Sequence, residues 1–115
     1  MPQTLKPTVH IIDPYRLDRP PRYSQVTSTA GPSRIITTAG QIAVDAHGYT
    51  PSILAQQMPL ALKNLRITLE AAGATVQDIL RLNYYFANYD PNDTTRAKPL
   101  ADFLQGHRPS STLIP

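Results

Sequence analysis

Residues 58–73, which read MPLALKNLRITLEAAG, decide the fold of this chain. Apolar residues recur in them at three- and four-residue spacing, which predicts an amphipathic α-helix with one face in the core. These apolar residues are Met58, Ala61, Leu62, Leu65, Leu69 and Ala72. Gly73 stands where a helix commonly ends in a left-handed residue. Pro59 has no N–H and clashes with the carbonyl of residue 55 inside a helix, so the helix either begins near Met58 or kinks there.

The chain before this helix predicts an extended arm and then a hairpin. Five of the twelve prolines lie in the first 21 residues, so residues 1–22 are expected to form an arm with a short edge strand over Val9 to Ile12. Tyr23 to Thr27 alternates, and Arg34 to Ile42 is rich in β-branched residues. This pattern predicts two strands that turn at Gly31-Pro32.

Two further turns are predicted on either side of the helix. Asp45-Ala46-His47-Gly48 has the composition of a turn and leads into the helix. After the helix, Thr75 is followed three residues later by Asp78, which resembles a capping box with Asp in place of Glu. We therefore expect one short helical turn at this point.

The chain then repeats the order of strand and helix. Residues 79–87 are rich in Leu, Tyr and Phe and predict a strand. Because successive side chains of a strand point to opposite faces, Tyr84 and Tyr85 are expected to lie one in the core and the other at an interface. Turn-forming residues follow at 88–93.

A second amphipathic helix precedes the end of the chain. Its apolar face consists of Ala97, Leu100, Ala101 and Leu104, with Phe103 beside them and Gly106 after the end. Pro99 raises the same difficulty as Pro59. Ser110 to Ile114 begins another β-like run, and the chain stops at Pro115.

This order predicts one α+β domain with its helices on one face of a mixed sheet. A chain of 115 residues has room for a single domain, here residues 23–115 behind the arm of residues 1–22. The uncovered sheet face must be buried by something else, and a partner subunit would do this. The last strand is expected to be unfinished, either because the chain is shortened or because another subunit completes the sheet edge. Proteins usually cover such edges, which favours the first explanation.

Composition argues against several classes of protein. The chain has no cysteine, which excludes disulfides and cysteine-ligated metals and fits a reducing, cytoplasmic compartment. No apolar run approaches the roughly 18 residues of a membrane span, so we expect neither membrane insertion nor a targeting segment. The net charge is +3, but the eleven Lys and Arg residues are spread singly, so a nucleic acid partner is not expected.

The three histidines show no metal-binding spacing. His10, His47 and His107 lie in the arm, a turn and a loop, with no partner at i, i+4. We expect them at the surface, and we expect neither a metal nor another cofactor. His107 is the alternative candidate for a general base because it lies nearest the last strand.

Several segments stand in an order and spacing that resemble a known family. They are Tyr23-Ser24-Gln25, Ala39-Gly40-Gln41-Ile42, residues 61–73, Asp78-Ile79-Leu80 and Phe86. Together they resemble the Rid family, also called YjgF, over about Tyr23 to Phe103. The resemblance implies a chorismate-mutase-like fold, a homotrimer whose sheets line a central barrel, and small-molecule clefts between subunits. The best-known activity of the family is hydrolysis of reactive imines and enamines, such as 2-aminoacrylate, to keto acids and ammonia.

The catalytic positions of the deaminase members carry over to this sequence as follows. Tyr23 matches a tyrosine near the N-terminus, and it serves either to bind a ligand or to bury its ring at an interface. Ala39 stands at the position of a serine and Ala97 at that of an asparagine. Ser111 stands at the position of the arginine that would anchor a substrate carboxylate, in Pro109-Ser110-Ser111-Thr112. A late glutamate has no counterpart.

The missing arginine is the most serious departure, because serine cannot replace a fork of charged donors. Arg108 lies three residues upstream of Ser111, and on a strand an odd offset points a side chain to the other face. We keep Arg108 as a candidate ligand-binding residue. The other ligand-binding candidates are Ala39, Gly40, Gln41, Ala97 and Thr112, and the catalytic candidates are Tyr23 and Ser111.

These residues predict a Rid-family protein that binds or transforms a small, nitrogen-containing or conjugated metabolite of a specialised pathway. Its sites are expected in clefts between the subunits of a homotrimer, without arginine-dependent imine deamination. The alternatives are an enamine/imine deaminase that releases ammonia, and a non-catalytic ligand-binding or interaction module. A ribonuclease is weakly supported, since the histidines form no recognisable pair and the basic residues no patch.

Overall fold

The protein is described by a computed structural model over residues 8–31 and 34–115. The described residues form a small α+β fold, which confirms the predicted class. Its elements are β1 (His10–Ile12), β2 (Val26–Ser28), α1 (Leu54–Ala71), a 3₁₀ turn (Val76–Asp78), β3 (Arg81–Tyr85), α2 (Ala97–Leu104) and β4 (Ser110–Ile114). Residues 1–7 of the predicted arm and Pro32 of the predicted turn lie outside the described residues.

Helix α1 begins at Leu54 rather than near Met58, so Pro59 lies inside it. At its other end, the amide of Ala74 donates to the carbonyl of Leu69 (2.9 Å) and the amide of Gly73 to that of Glu70 (3.0 Å). Gly73 adopts φ +78°. This is a Schellman ending, which needs a left-handed residue and therefore explains the glycine.

The predicted capping box and the second helix both form. The amide of Thr75 donates to Oδ2 of Asp78 at 2.8 Å, and the 3₁₀ turn follows directly. Pro99 is the third residue of α2. In that first turn the amides have no intrahelical acceptor, so the missing N–H of a proline costs no hydrogen bond.

The strands form two small sheets linked by one bridge. β3 and β4 are parallel, with Arg81 opposite Ser110 and Tyr85 opposite Ile114, and α2 forms the crossover between them. β1 and β2 pair in antiparallel fashion. A parallel bridge between Ser24 and Ser110 joins the chain just before β2 to β4. The predicted mixed sheet is thus present as two pieces.

The predicted hairpin between Tyr23–Thr27 and Arg34–Ile42 is wrong. β2 pairs with β1, in the region where a short edge strand was predicted, and residues 34–42 contain no strand. Ile35 is 86% exposed and Ile42 69% exposed. β-branched residues favour strands because they pack on a half-buried pleated surface, and the rest of the chain that the structure describes offers residues 34–42 no such surface.

The core lies where the two helices meet. Leu62 and Leu69 of α1 pack in one cluster with Phe103 and Leu104 of α2. Leu104 is 1% exposed, and truncating a leucine buried to this degree to alanine costs about 2–5 kcal/mol. The apolar stripes predicted for both helices therefore form a single core.

The helices cover one face of β3 and leave the other face open. Leu82 and Tyr84 pack against the core, and burial raises the pKa of the Tyr84 hydroxyl. Tyr85, by contrast, is 72% exposed, as the alternation predicted. We call the uncovered surface of β3 and β4 the open face; from the register it consists of Arg81, Asn83, Tyr85, Ser110, Thr112 and Ile114.

Candidate functional site

Four of the predicted site residues lie at or next to the start of β4, namely Tyr23, Arg108, Ser111 and Thr112. The amide of Ser24 donates to the carbonyl of Pro109 at 3.2 Å, and the Ser24 hydroxyl donates to the carbonyl of Arg108. Ser24 is 2% exposed, whereas the neighbouring Tyr23 is 39% exposed. These buried contacts hold Tyr23 beside β4 with its side chain partly accessible to a ligand or a partner.

The guanidinium of Arg108 is directed to the N-terminal segment rather than to the open face. Its Nη1 and Nη2 donate to the two carboxylate oxygens of Asp13 at 3.0 and 2.5 Å. Its Nε lies 2.9 Å from the carbonyl of Pro20 and 3.2 Å from that of Tyr23. A bidentate pair with added carbonyl contacts is a strong and directional arrangement, so Arg108 fixes residues 13–23 against the start of β4.

Asp13 and Arg108 each stabilise the charged form of the other. The hydrogen bonds from Arg108 lower the pKa of Asp13, and nearby Arg19, with its Nε 3.3 Å from Asp13, lowers it further against the opposing effect of desolvation. The carboxylate of Asp13 in turn raises the pKa of Arg108. Both groups are therefore charged at neutral pH.

Ser111 and Thr112 lie on opposite faces of β4. Ser111 pairs with Leu82, whose side chain belongs to the core, and is half-buried. Thr112 pairs with Asn83 on the open face, where its hydroxyl accepts a hydrogen bond from Arg81. The two candidates therefore do not converge on one ligand within this chain, because successive side chains of a strand alternate.

A cluster of hydroxyl groups beside Arg81 is a feature that sequence reasoning missed. The Thr27 hydroxyl donates to the carbonyl of Leu80 at 2.7 Å and lies 2.9 Å from the hydroxyl of Ser110. Ser110 Oγ is also 3.3 Å from the Leu80 carbonyl. Only the pairing of β4 with β3, and of Ser24 with Ser110, brings residues so distant in sequence together.

The remaining candidates stand apart from this point. Ala39, Gly40 and Gln41 lie in the irregular segment, and the Gln41 side chain donates to the carbonyl of Ala39 at 3.2 Å. A Cβ added at Gly40 would meet nothing within 4 Å. Ala97 is the exposed first residue of α2. Within one chain these four residues make no described hydrogen bond to Tyr23, Ser111 or Thr112.

The structure corrects the expectation for His107, which is buried rather than at the surface. It is 7% exposed, and its Nε2 lies 2.7 Å from the carbonyl of Ile79. A carbonyl oxygen only accepts hydrogen bonds, so Nε2 carries the proton and donates it to this buried carbonyl. His10 and His47 are exposed, as expected. Over residues 8–31 and 34–115, no cluster of three His, Asp or Glu side chains could hold a metal ion.

Comparison with known families identifies the scaffold. Residues 16–115 match the family described as Endoribonuclease L-PSP. The chain belongs to this family, the Rid (YjgF) family. A comparison with curated proteins gave no match. In the part of this Rid chain that is described, no helix has the length and apolar character needed to cross a membrane.

Solved structures resemble this Rid chain over most of its length. One is a protein of unknown function of the conserved Rid protein family, YyfB from Yersinia pestis, with 27% identity and a TM-score of 0.84 over 93% of this chain and 84% of that chain. Another is a putative endoribonuclease from Thermotoga maritima, with 17% identity and a TM-score of 0.60 over 82% of this chain and 77% of that chain. The second likeness concerns the fold alone.

Proposed function

We propose that this Rid-family chain binds or transforms a small, nitrogen-containing or conjugated metabolite without arginine-dependent imine deamination. Tyr23 and the backbone donors near Gly40 and Thr112 would orient the ligand, and any chemistry would be limited to proton transfer, tautomerisation or assistance of a cyclisation. The candidate residues are dispersed within one chain, which supports a site completed between subunits of a homotrimer.

One observation carries this proposal. Ser111 occupies the position that the family resemblance assigns to the anchoring arginine, and the nearest arginine, Arg108, donates all its described hydrogen bonds to Asp13, Pro20 and Tyr23. Releasing it would leave Asp13 without its bidentate partner and would break the two contacts of Nε with the carbonyls of Pro20 and Tyr23. A carboxylate substrate would therefore have to compete with an ion pair that is already in place.

Hydrolysis of 2-iminopropionate tests this proposal directly. We expect the wild-type protein to leave the rate of keto acid formation at the uncatalysed level, and Arg108→Ala to change nothing in that rate. Asp13→Asn is the matched variant, because it frees the guanidinium while keeping it in the chain. If Arg108 were an anchor, Asp13→Asn would raise turnover and Arg108→Ala would abolish it. That pair of results would establish the deaminase alternative.

The non-catalytic alternative is separated from the proposal by ligand binding. We expect members of a panel of imines, enamines and conjugated acids to bind, and binding to weaken on Tyr23→Ala. A panel that gives no binding at all, together with a stable protein partner, would favour an interaction module. Tyr23→Phe then distinguishes loss of the hydroxyl from loss of the ring.

The family description also names an endoribonuclease, and RNA cleavage is therefore an alternative to metabolite binding. His107 is the histidine nearest β4, and its Nε2 is held by the Ile79 carbonyl, which argues against a role as general base. Cleavage of RNA by the purified protein that is lost on substitution of His10 or His47 would overturn our reading.

A further inference from the structure

A groove between α1 and α2 lies outside the candidate site. It has a volume of about 410 Å³, and small-molecule sites typically have about 300–1,000 Å³. Leu62 and Phe103 form its floor, with 8% and 4% exposure. Pro59 and Pro99 line its walls. The groove is therefore apolar at its base and large enough for one or two aromatic rings.

The rim of the groove carries two cations that form no ion pair among the described residues. Lys98 is paired with Asp102 at 2.8 Å. Lys63 and Arg66 lie three residues apart on one face of α1 and have no acidic partner among the described residues. Both side chains are exposed. The local charge therefore favours an anion.

The position of Arg66 suits a ligand that combines an aromatic ring with a carboxylate. Its guanidinium carbon lies 5.4 Å from the centre of the Phe103 ring. The N–H donors of a guanidinium lie in its plane, so packing over a ring leaves them free for a bidentate carboxylate. The apolar floor next to Phe103 would receive the ring of the same ligand.

We propose that the groove between α1 and α2 binds a small aromatic carboxylate. The carboxylate contacts Arg66 and Lys63, and the ring lies on Leu62 and Phe103 between the two prolines. None of these residues belongs to the candidate site at β4, so this proposal and the proposed function can be tested independently.

Titration with 2-naphthoate, followed through the amide NMR signals of the protein, tests the proposal. We expect saturable shifts centred on Lys63, Arg66 and Phe103. Uncharged 2-naphthamide should bind at least about tenfold more weakly, a difference of about 1.4 kcal/mol, because it lacks the carboxylate. Arg66→Gln and Lys63→Gln should each weaken 2-naphthoate binding.

Two further variants make the outcome decisive. Asp102→Asn frees Lys98 and should strengthen 2-naphthoate binding, whereas Arg81→Gln removes an exposed cation of the open face and should leave it unchanged. Circular dichroism checks that each variant is folded. The proposal is overturned by absence of saturable binding, by equal binding of the amide, or by equal losses for Arg66→Gln and Arg81→Gln. Shifts of the same amides with protein concentration alone would show that a second copy of the chain occupies the groove, and would also overturn the proposal.

Discussion

At the scale of single residues, Arg108 acquires its role from its neighbours. All three of its side-chain nitrogens donate, to Asp13, Pro20 and Tyr23. The sequence shows it as one of eleven basic residues, and its partners lie more than 80 residues away along the chain. The odd offset from Ser111 indicated that the two side chains point in different directions. It did not indicate that Arg108 binds a carboxylate from residues 8–22.

The ion pair predicts an acid-sensitive contribution to stability. The pKa of Asp13 is lowered in the folded protein, so its contribution is present above the unfolded pKa, near about 3.9, and is lost as the pH falls through the lower folded value. We expect Asp13→Asn to lower the melting temperature at pH 7, and the difference from wild type to shrink below about pH 4. Asp18→Asn, in the same exposed segment, is the control. A difference that stays constant with pH would contradict this assignment.

At the scale of elements, the helix ends follow local rules and the strands do not. The Schellman ending at Gly73 and the capping box at Thr75 depend on residues within a few positions of each other. Residues 34–42 have the composition of a strand, but a strand requires a partner that the residues themselves do not supply. The helices were therefore predictable from the sequence, whereas the pairing of β1 with β2 replaced the expected hairpin.

Gly73 tests the contribution of a helix end. Gly73→Ala is expected to destabilise the protein by about 1–2 kcal/mol, because its φ is +78° and alanine is strained in that region. The added Cβ would also lie 3.2 Å from Arg34 Nη2, which donates to the carbonyl of Ala72 at 2.5 Å. Urea denaturation measures the change in the free energy of unfolding.

Gly106→Ala is the matched control for Gly73→Ala. Gly106 has φ +84°, and a Cβ there would meet nothing within 4 Å, so only the backbone strain is expected. If the contact with Arg34 contributes, Gly73→Ala lowers the free energy of unfolding more than Gly106→Ala does. This additional loss should disappear when both substitutions are made in an Arg34→Ala variant. If Gly73→Ala and Gly106→Ala lower the free energy of unfolding equally, both in the wild type and in the Arg34→Ala variant, Arg34 does not contribute.

At the scale of the whole molecule, one side is packed and the other is not. The helices bury the inner face of β3, while Tyr85 on the open face is 72% exposed. Ile35, in the irregular segment 34–42, is 86% exposed. Exposed apolar side chains and unpaired strand-forming backbone are both typical of a subunit interface. The proposed homotrimer would supply both the missing partner of residues 34–42 and the remaining wall of the candidate site.

The mass of the protein in solution tests this assembly. We expect light scattering to give a trimer for the wild type and smaller species for Ile35→Asp, because a carboxylate buried in an apolar interface without a partner is unfavourable. Ile67→Asp is the control, since Ile67 is 53% exposed on α1 and should leave the mass unchanged. A monomeric wild type, or dissociation caused equally by Ile67→Asp, would contradict the proposal.

The sequence by itself determined the two helices, the glycine ending of α1, the inward and outward alternation of Tyr84 and Tyr85, and membership of the Rid family. These features depend on periodicity, on local hydrogen bonding and on the order of short segments. Only the tertiary structure decided that Arg108 binds Asp13, that His107 is buried on the Ile79 carbonyl, and that Thr27 meets Ser110. Each of these contacts joins residues that are far apart in the chain, and no local pattern determines which distant groups strand pairing will bring within hydrogen-bond distance.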